Sequence, residues 1–260
     1  MTEAVLKFHV LGPIELRDSA GSRVRVQARK VRTLLAVLLA NANRRLSADA
    51  LTESLWGARP PRSATANLRT YAWELRRLVP PAAAGDRIEL DGGGYRLNVD
   101  GHEFDVTRFD ELARRGHGEL AAGATRQAAA TLAEAVTLWR GDPFEDVAEA
   151  ASAPLASRLV EQHWAVREDL VDAWLRLGEH MAAIAELRAL TRQQPYRERY
   201  WEQLVAALHG CGRRVEALAA YRQAHRLLAD ELGIEPGAEL RAAHAMVTAA
   251  VTPRMAGRSR

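Results

Sequence analysis

The pattern of hydrophobic and polar residues at the start of this chain has a period of two. Apolar and polar side chains alternate in three short segments, Leu6–Val10, Ile14–Leu16 and Arg23–Val26, which are separated by turn-forming residues such as Gly12-Pro13. Alternation of this kind is typical of strands that bury one face. The pattern therefore predicts a small antiparallel sheet.

After these segments the period becomes helical. Lys30–Leu39 is apolar on more than one side, which predicts a buried helix. A second helix, Ala48–Trp56, follows Ser47, and a third helix, Ala64–Val79, follows Ser63. Because serine is a favoured N-cap, we expect both serines to cap their helices. The inward face of the third helix is predicted to consist of Leu68, Ala72, Leu75 and Val79.

Two further strand segments, Ile88–Asp91 and Tyr95–Val99, flank three consecutive glycines, which is the pattern of a β-hairpin. Strands, three helices and a C-terminal hairpin in this order are typical of a winged helix–turn–helix domain, which we assign to residues 1–103. The fold class expected for the whole chain is mainly α with a small β part.

The remainder of the chain is predicted to be all α, because it is rich in Ala and Leu and poor in β-branched and aromatic residues. It also contains a repeat. When Gly123, Gly178 and Gly212 are aligned, small or apolar residues recur 5, 7 and 12 positions later, and the last two copies are 34 residues apart, the length of a tetratricopeptide helix pair. We expect the small residues at these positions to let antiparallel helices pack closely. The residues at the three positions are Ala128, Ala183 and Ala217 at +5, Ala130, Ala185 and Ala219 at +7, and Ala135, Leu190 and Ala224 at +12.

The tetratricopeptide-like domain is assigned to residues 104–250, and residues 251–260 are predicted to form a disordered tail.

Charge divides the chain in a similar way. Residues 1–80 carry a net charge of +8 and residues 81–260 a net charge of −5. Twelve basic side chains lie between Arg23 and Arg77, against three acidic ones. A basic cluster on helices is an electrostatic footprint for a polyanion, and double-stranded DNA is the commonest such partner. The opposite signs of the two halves indicate two different kinds of partner.

The third helix is predicted to be the recognition helix, because a major groove admits one α-helix and Arg–guanine pairing is the commonest specific contact. Arg69 and Thr70 are the candidates for base edges, and Arg77 for a base or a phosphate. Thr65 and Asn67, at the start of the helix, are placed for the first phosphate or base. Trp73 is expected either to contact a thymine methyl group or sugar, or to pack beneath the hairpin wing.

Other basic residues are expected to contact the DNA backbone, although a solvated surface charge remains the alternative for each of them. The exposed connection between the second and third helices, residues 57–64, carries two further basic residues, Arg59 and Arg62. The candidates for the DNA backbone are Lys30, Arg32, Arg62, Arg76 and Arg96.

The sequence favours neither an enzyme nor a metalloprotein. Cys211 is the single cysteine, which excludes an internal disulfide and a multi-cysteine metal site. Motifs for a nucleophilic serine, a phosphate-binding loop or a zinc protease do not occur. No signal-peptide pattern and no apolar run of roughly 18 residues is present, so we expect a cytoplasmic, nucleoid-associated protein without a membrane partner or a cofactor.

Seven motifs, in register over nearly all of residues 5–250, resemble the antibiotic regulatory proteins of actinomycete bacteria, the SARP family. The motifs are Leu11–Ile14, Leu55–Gly57 with Pro60–Ala64, Asn67–Arg77, Gly94–Leu97, Asp105–Phe109, Leu138–Phe144 and Glu231–Gly237.

The resemblance implies an OmpR-type winged helix followed by a bacterial transcriptional activator domain of tetratricopeptide type. It also implies binding to direct DNA repeats near the promoter −35 region by two protomers side by side, as a homodimer on DNA. Recruitment of RNA polymerase holoenzyme through sigma and other subunits would then switch on a secondary-metabolite, or antibiotic, gene cluster. The exposed connection at residues 57–64 is then a second candidate polymerase contact, through Arg59 and Arg62. Without an added ATPase, phosphopeptide-binding or receiver domain, the chain is similar to a small, stand-alone member.

Two alternatives remain open at this point. One is a tetratricopeptide protein-interaction module whose basic face is incidental. The other is a repressor that occupies the same DNA without contacting polymerase.

Overall fold

A computed structural model describes residues 6–81, 85–91, 93–147 and 153–249. The chain divides into two compact units, one drawn from residues 1–114 and 134–164 and the other from residues 115–133 and 165–260. The predicted domain boundary between residues 103 and 104 stays a prediction. The predicted disordered tail, 251–260, lies outside the described residues.

The first unit begins with the expected antiparallel sheet. Its strands are β1 (Lys7–His9), β2 (Glu15–Arg17) and β3 (Arg23–Val24), paired in chain order. Phe8 lies opposite Leu16, and both side chains are buried. The alternation of the sequence therefore places one face of this sheet in the core, as predicted.

Three helices follow, α1 (Arg29–Ala40), α2 (Ala48–Trp56) and α3 (Ala64–Leu78), within one residue of their predicted bounds. Helix α1 is buried almost throughout and packs against both of the others, which explains why it is apolar on several sides. The Ser47 hydroxyl accepts a hydrogen bond from the Ala50 amide at 3.1 Å, so this predicted N-cap is confirmed.

The prediction that Ser63 caps α3 through its side chain is wrong. No backbone N–H of α3 donates to its hydroxyl, which instead accepts a hydrogen bond from the Asn67 side-chain amide at 3.2 Å. The Asn67 side chain lies one helical turn further along α3, and its amide competes with the backbone N–H groups for the Ser63 hydroxyl oxygen.

The wing consists of β5 (Ile88–Asp91) and β6 (Gly94–Leu97), as the glycine-rich hairpin pattern predicted. A further strand, β4 (Leu46–Ser47), pairs with the other edge of β6 and gives the order β4-β6-β5. The sequence pattern missed β4 because two residues are too few to show alternation.

A second set of contacts within the first unit joins two of the motifs quoted above. The Arg140 amide donates to the Leu11 carbonyl at 2.8 Å, and the Phe144 amide donates to the Val10 carbonyl at 3.0 Å. A Cβ atom added to Gly12 would lie 3.0 Å from the Arg140 Cβ, so the two segments approach too closely for a larger residue. The short segment after β1 and the turn at 139–144 therefore form one tightly fitted contact.

Seven α-helices make up most of the rest of the described chain, and α4–α6 contribute residues to both units. In the second unit α8 packs against α7, α9 and α10. No helix among the described residues is long and apolar enough to cross a membrane. The helices are α4 (Asp105–Ala121), α5 (Thr125–Thr137), α6 (Ala153–Arg176), α7 (His180–Gln193), α8 (Glu198–Gly210), α9 (Arg214–Arg226) and α10 (Ala238–Ala249).

The three aligned glycines have the same conformation in all three copies. Gly123, Gly178 and Gly212 have φ angles of 78°, 76° and 70°. Each donates its amide to the carbonyl three residues earlier, and the next residue donates to the carbonyl five residues before itself. This pair of hydrogen bonds is the Schellman motif that ends a helix, and it requires the left-handed conformation that glycine adopts most readily. The sequence repeat is therefore a structural repeat.

The prediction for the positions after each glycine is correct at +5 and +12 and wrong at +7. The residues at +5 and +12 are all fully buried, whereas Ala130, Ala185 and Ala219 are exposed. Positions +5 and +12 are seven residues apart and share a helix face, but +7 is about 200° away from +5 at 3.6 residues per turn. Small residues at +7 therefore do not serve the packing of these helices.

Gly212→Ala is expected to lower the free energy of unfolding by about 1 kcal/mol, because alanine is strained at the left-handed φ of this position. Chemical denaturation followed by circular dichroism measures the change. Gly118→Ala is the matched control, since Gly118 lies within α4 and a Cβ there meets nothing within 4 Å. The control is expected to be stabilising by about 0.5–1 kcal/mol. Equal effects at the two sites would contradict the repeated turn.

Candidate nucleic-acid interface

Helix α3 has one buried face and one exposed face, as predicted. Its inward residues Leu68, Ala72 and Leu75 are buried, and Val79 is buried just after the helix ends. The exposed side carries six of the predicted DNA contacts, while Asn67 is half-buried at the edge. These six are Thr65, Arg69, Thr70, Trp73, Arg76 and Arg77.

The beginning of α3 is suited to an anion. No side chain caps its first backbone N–H groups, and no acidic residue lies in its first turn. The N-terminal end of a helix carries a partial positive charge, and its free N–H groups bind phosphate readily. Thr65 lies in this first turn, and the Asn67 amide is held against Ser63.

The side chains of Trp73 and Arg77 contact each other on the exposed face of α3. The indole is 56% exposed, so the alternative in which it packs beneath the wing is wrong. The Arg77 guanidinium carbon lies 4.8 Å from the centroid of the indole ring. A guanidinium stacked in this way is restrained by a cation–π contact while its N–H groups stay available at its edge.

Arg69 and Thr70 are both exposed, but they differ in whether their polar groups have partners within the protein. Among the described residues Arg69 has no acidic partner. The Thr70 hydroxyl donates to the Ala66 carbonyl at 3.1 Å, which leaves its oxygen as an acceptor and its methyl group exposed. Burial raises the pKa of the nearby Tyr95 hydroxyl, and the positive charges of Arg69 and Arg76 oppose that increase.

Two predicted backbone contacts are engaged with the wing. The Arg76 Nε donates to the Ile88 carbonyl at 2.9 Å, which joins α3 to β5. Arg96 pairs with Glu89, its direct neighbour across the hairpin. Hydrogen bonds from Arg96 and Asn98 lower the pKa of Glu89, so this carboxylate is ionised and offsets the charge of Arg96.

The two predicted contacts on α1 also have partners within the first unit. The Lys30 ammonium donates to the Leu55 carbonyl at the end of α2 and lies 5.5 Å from the centroid of the Trp56 ring. That ring stacks on Tyr71 of α3, with centroids 6.2 Å apart. Arg32 pairs with Asp146. The basic start of α1 thus has a structural use that the sequence did not reveal, and any phosphate contact there would have to share these groups.

The connection between α2 and α3 is exposed from Gly57 to Ser63. Within the described part of the chain, Arg59 and Arg62 have no acidic partner. Both guanidinium groups are therefore available to another molecule, as the predicted polymerase contact requires.

The structure adds two polar residues that the sequence did not assign. Arg25 and Gln27 line a groove of about 430 Å³ together with Glu74 and Arg77 of α3. The alternation at residues 23–26 predicted a strand there, but β3 ends at Val24, and the residues after it turn toward the last turns of α3. Only the tertiary contact identifies them as neighbours of α3.

Among the described residues, no group of three His, Cys, Asp or Glu side chains is arranged to hold a metal ion.

Comparison with known proteins gives matches over both halves. Residues 22–97 match the family described as "Transcriptional regulatory protein, C terminal", and residues 104–248 match the "Bacterial transcriptional activator domain". RedD of Streptomyces coelicolor is 37% identical over 94% of this chain and 71% of its own length. DnrI of Streptomyces peucetius is 35% identical over 90% of this chain and 89% of its own length.

The regulator EmbR of Mycobacterium tuberculosis is 37% identical over 92% of this chain, which spans 62% of the length of EmbR. A structure of EmbR in complex with a low-affinity phosphopeptide matches 95% of this chain with a TM-score of 0.89 and 36% identity, and the match covers 66% of that EmbR chain. Two family models in the expected order, with relatives matched over most of their length, identify a winged helix followed by an activator domain, and the chain belongs to the SARP family of transcriptional regulators.

Proposed function

We propose that this regulator is a sequence-specific transcriptional activator that binds direct repeats overlapping a promoter −35 region. On that DNA it recruits RNA polymerase holoenzyme and switches on a secondary-metabolite gene cluster, such as one for an antibiotic. The observation that carries the proposal is the exposed basic face of α3 within a winged helix, in a chain similar to RedD and DnrI.

The proposed reading of DNA follows from the side chains on that face. Arg69 and Thr70 contact base edges, Trp73 contacts a thymine methyl group or a sugar, and Arg77 contacts a base or a phosphate. The uncapped start of α3 receives a phosphate, with Thr65 and Asn67 beside it. Since direct repeats present two identical sites in the same orientation, two protomers bind side by side and form a homodimer on DNA. The protein accordingly acts on the nucleoid in the cytoplasm.

The proposed activation uses surfaces outside the groove. Arg59 and Arg62 in the connection between α2 and α3 are exposed and have no acidic partner among the described residues, so they are suited to an acidic surface of sigma. Residues 104–260, beyond the wing, carry 20 basic and 22 acidic side chains, a net charge of −2, so this half has no net attraction to DNA and its exposed carboxylates are suited to basic polymerase surfaces.

A binding titration tests the DNA half of this proposal. Fluorescence anisotropy with a duplex that contains the two repeats is compared with a scrambled duplex, at about 50 and 200 mM salt. We expect a preference of about 10³-fold or more for the repeats, and a loss of affinity of about 10³- to 10⁵-fold between the two salt concentrations for about 6–10 phosphate contacts. Binding without preference and with little salt dependence would support the protein-interaction module instead.

Transcription in vitro from the same repeats separates an activator from a repressor. Purified actinomycete RNA polymerase holoenzyme is the only other protein in the reaction. An increase in transcript on addition of this regulator supports the proposal, and a decrease at concentrations that saturate the repeats identifies a repressor.

A further inference from the structure

One of the motifs that identify the family has no part in the proposed DNA contacts. Residues 227–240, which comprise the link from α9 to α10 and the first three residues of α10, contain four carboxylates and no basic residue. The link begins with a single π-helical turn, Leu227–Glu231, and continues through the turn at Gly233. We call residues 230–235, Asp-Glu-Leu-Gly-Ile-Glu, the acidic knuckle.

The acidic knuckle presents aliphatic side chains to solvent. Leu232 and Ile234 are each 47% exposed, and Tyr196 is exposed beside them, since its hydroxyl donates to the Glu231 carboxylate at 2.6 Å. An exposed leucine alone needs no explanation, but apolar side chains grouped within a polar rim are typical of interaction sites. Burial of such a group against a partner is favourable by about 25 cal/mol per Å² of apolar surface.

The knuckle is held in place by the rest of the second unit. The Ile234 amide donates to the Leu228 carbonyl at 3.1 Å, and Leu228 is buried. On the other side the Gly237 amide donates to the Glu198 carboxylate at 2.6 Å, and Pro236 is buried. Because the backbone is already ordered, a partner that binds Leu232 and Ile234 does not have to order this segment, which favours affinity.

Charge determines the class of partner. Asp230, Glu231, Glu235 and Glu239 are all exposed, and the Nε2 atom of His225 lies 3.6 Å from the Glu235 carboxylate. This rim repels DNA and matches a basic surface. The basic surface of a second copy is occupied by DNA in the proposed complex. A different protein that binds the same DNA has a basic surface where it contacts that DNA.

We propose that the acidic knuckle docks on a basic, apolar-lined surface of RNA polymerase holoenzyme, with Leu232 and Ile234 inserted and the carboxylates around them. This inference rests on the proposed function, because it assumes that polymerase is bound beside the regulator.

Leu232→Ser with Ile234→Ser tests the apolar part. Affinity for the repeats is expected to stay within about twofold, while binding to immobilised polymerase holoenzyme, measured without DNA, and activated transcription fall about tenfold. The matched control is Met181→Ser with Val215→Ser, two residues of the second unit that are 64% and 77% exposed. The control pair is expected to keep both activities, and circular dichroism verifies that both variants are folded.

Asp230→Asn with Glu235→Gln tests the charged part. This variant is expected to bind polymerase about tenfold more weakly at low salt, and the difference is expected to shrink as salt is raised. A wild-type affinity for polymerase in either knuckle variant would overturn the inference, as would an equal loss in the control pair. A change of oligomeric state in the Leu232/Ile234 variant, measured by sedimentation, would overturn it in favour of a contact between copies.

Failure of the proposed function gives a different result. In that case the wild-type protein itself does not prefer the repeats or does not raise transcription, whatever the knuckle variants do.

Discussion

Asp105→Ala is expected to lower the free energy of unfolding of the first unit by about 4 kcal/mol. The Asp105 side chain is buried at the start of α4, and its carboxylate accepts hydrogen bonds from the Val10 amide at 2.9 Å and the Leu11 amide at 3.1 Å. Alanine leaves both amides buried without acceptors, and each unsatisfied donor costs about 1–3 kcal/mol. The Arg140 guanidinium, 3.8 Å from the same carboxylate, also loses one of its two acidic neighbours, although it keeps Glu15 at 3.2 Å.

Chemical denaturation of the full chain, followed by circular dichroism, measures this loss. Asp110→Ala is the control on the same helix, because Asp110 makes an exposed ion pair with Arg158 at 3.2 Å. An exposed pair contributes about 0–1 kcal/mol, so the control is expected to change stability by less than that. Equal losses in the two variants would show that the buried carboxylate does not hold the segment after β1.

The pH dependence of stability gives a second measurement at Asp105. Burial raises the pKa of Asp105 from 3.8 to about 6, against hydrogen bonds from the Leu11 and Val10 amides and the charge of Arg140, which lower it. Since the folded state then binds the proton more tightly than the unfolded state, the contribution of Asp105 to stability is present below about pH 4 and is lost as the pH rises to about 6. Asp105→Asn is expected to remove this decrease. An unchanged pH profile in the Asn variant would contradict the assignment.

The contact around Asp105 also shows where prediction from the sequence ends. The sequence marked Leu11–Ile14, Asp105–Phe109 and Leu138–Phe144 as family motifs, but nothing in their patterns indicated that they touch. They lie up to about 130 residues apart, and a contact at that separation depends on the tertiary fold. The structure places all three in one contact, which explains why the first compact unit includes residues 134–164.

Local periodicity predicted the exposure of side chains better than it predicted their partners. The faces of α3 follow from 3.6 residues per turn, so the exposure of Arg69, Trp73 and Arg77 was predictable. The ion pair of Arg32 with Asp146 was not, because it joins residues that are distant in sequence. The prediction for the alanines seven residues after each repeated glycine was wrong for a different reason. A small residue shows that another helix could approach closely, but only the helical phase shows which face of the helix carries that residue.

Arg69→Ala and Arg77→Ala are each expected to reduce affinity for the direct repeats by about 10- to 100-fold, since a bidentate contact from arginine to guanine contributes about 1–3 kcal/mol. Gel-shift titration measures the loss. Arg192→Ala is the charge-matched control, because Arg192 is exposed in the second unit and has no acidic partner among the described residues. Promoter binding that stays intact in both α3 variants would show that α3 is not the recognition helix.

The same variants separate base contacts from phosphate contacts. Loss of a base contact relaxes specificity at one base pair, whereas loss of a phosphate contact weakens binding to all sequences and reduces the salt slope by about 1. We expect relaxed specificity at one base pair for Arg69→Ala. For Arg77→Ala, relaxed specificity would assign a base contact, and uniformly weaker binding would assign a phosphate contact.

Trp73→Ala completes a double-mutant cycle with Arg77→Ala. Because the indole restrains the Arg77 guanidinium at 4.8 Å, the two losses are expected to be non-additive, with a coupling of about 0.5–2 kcal/mol. Additive losses would show that Trp73 and Arg77 contact DNA independently.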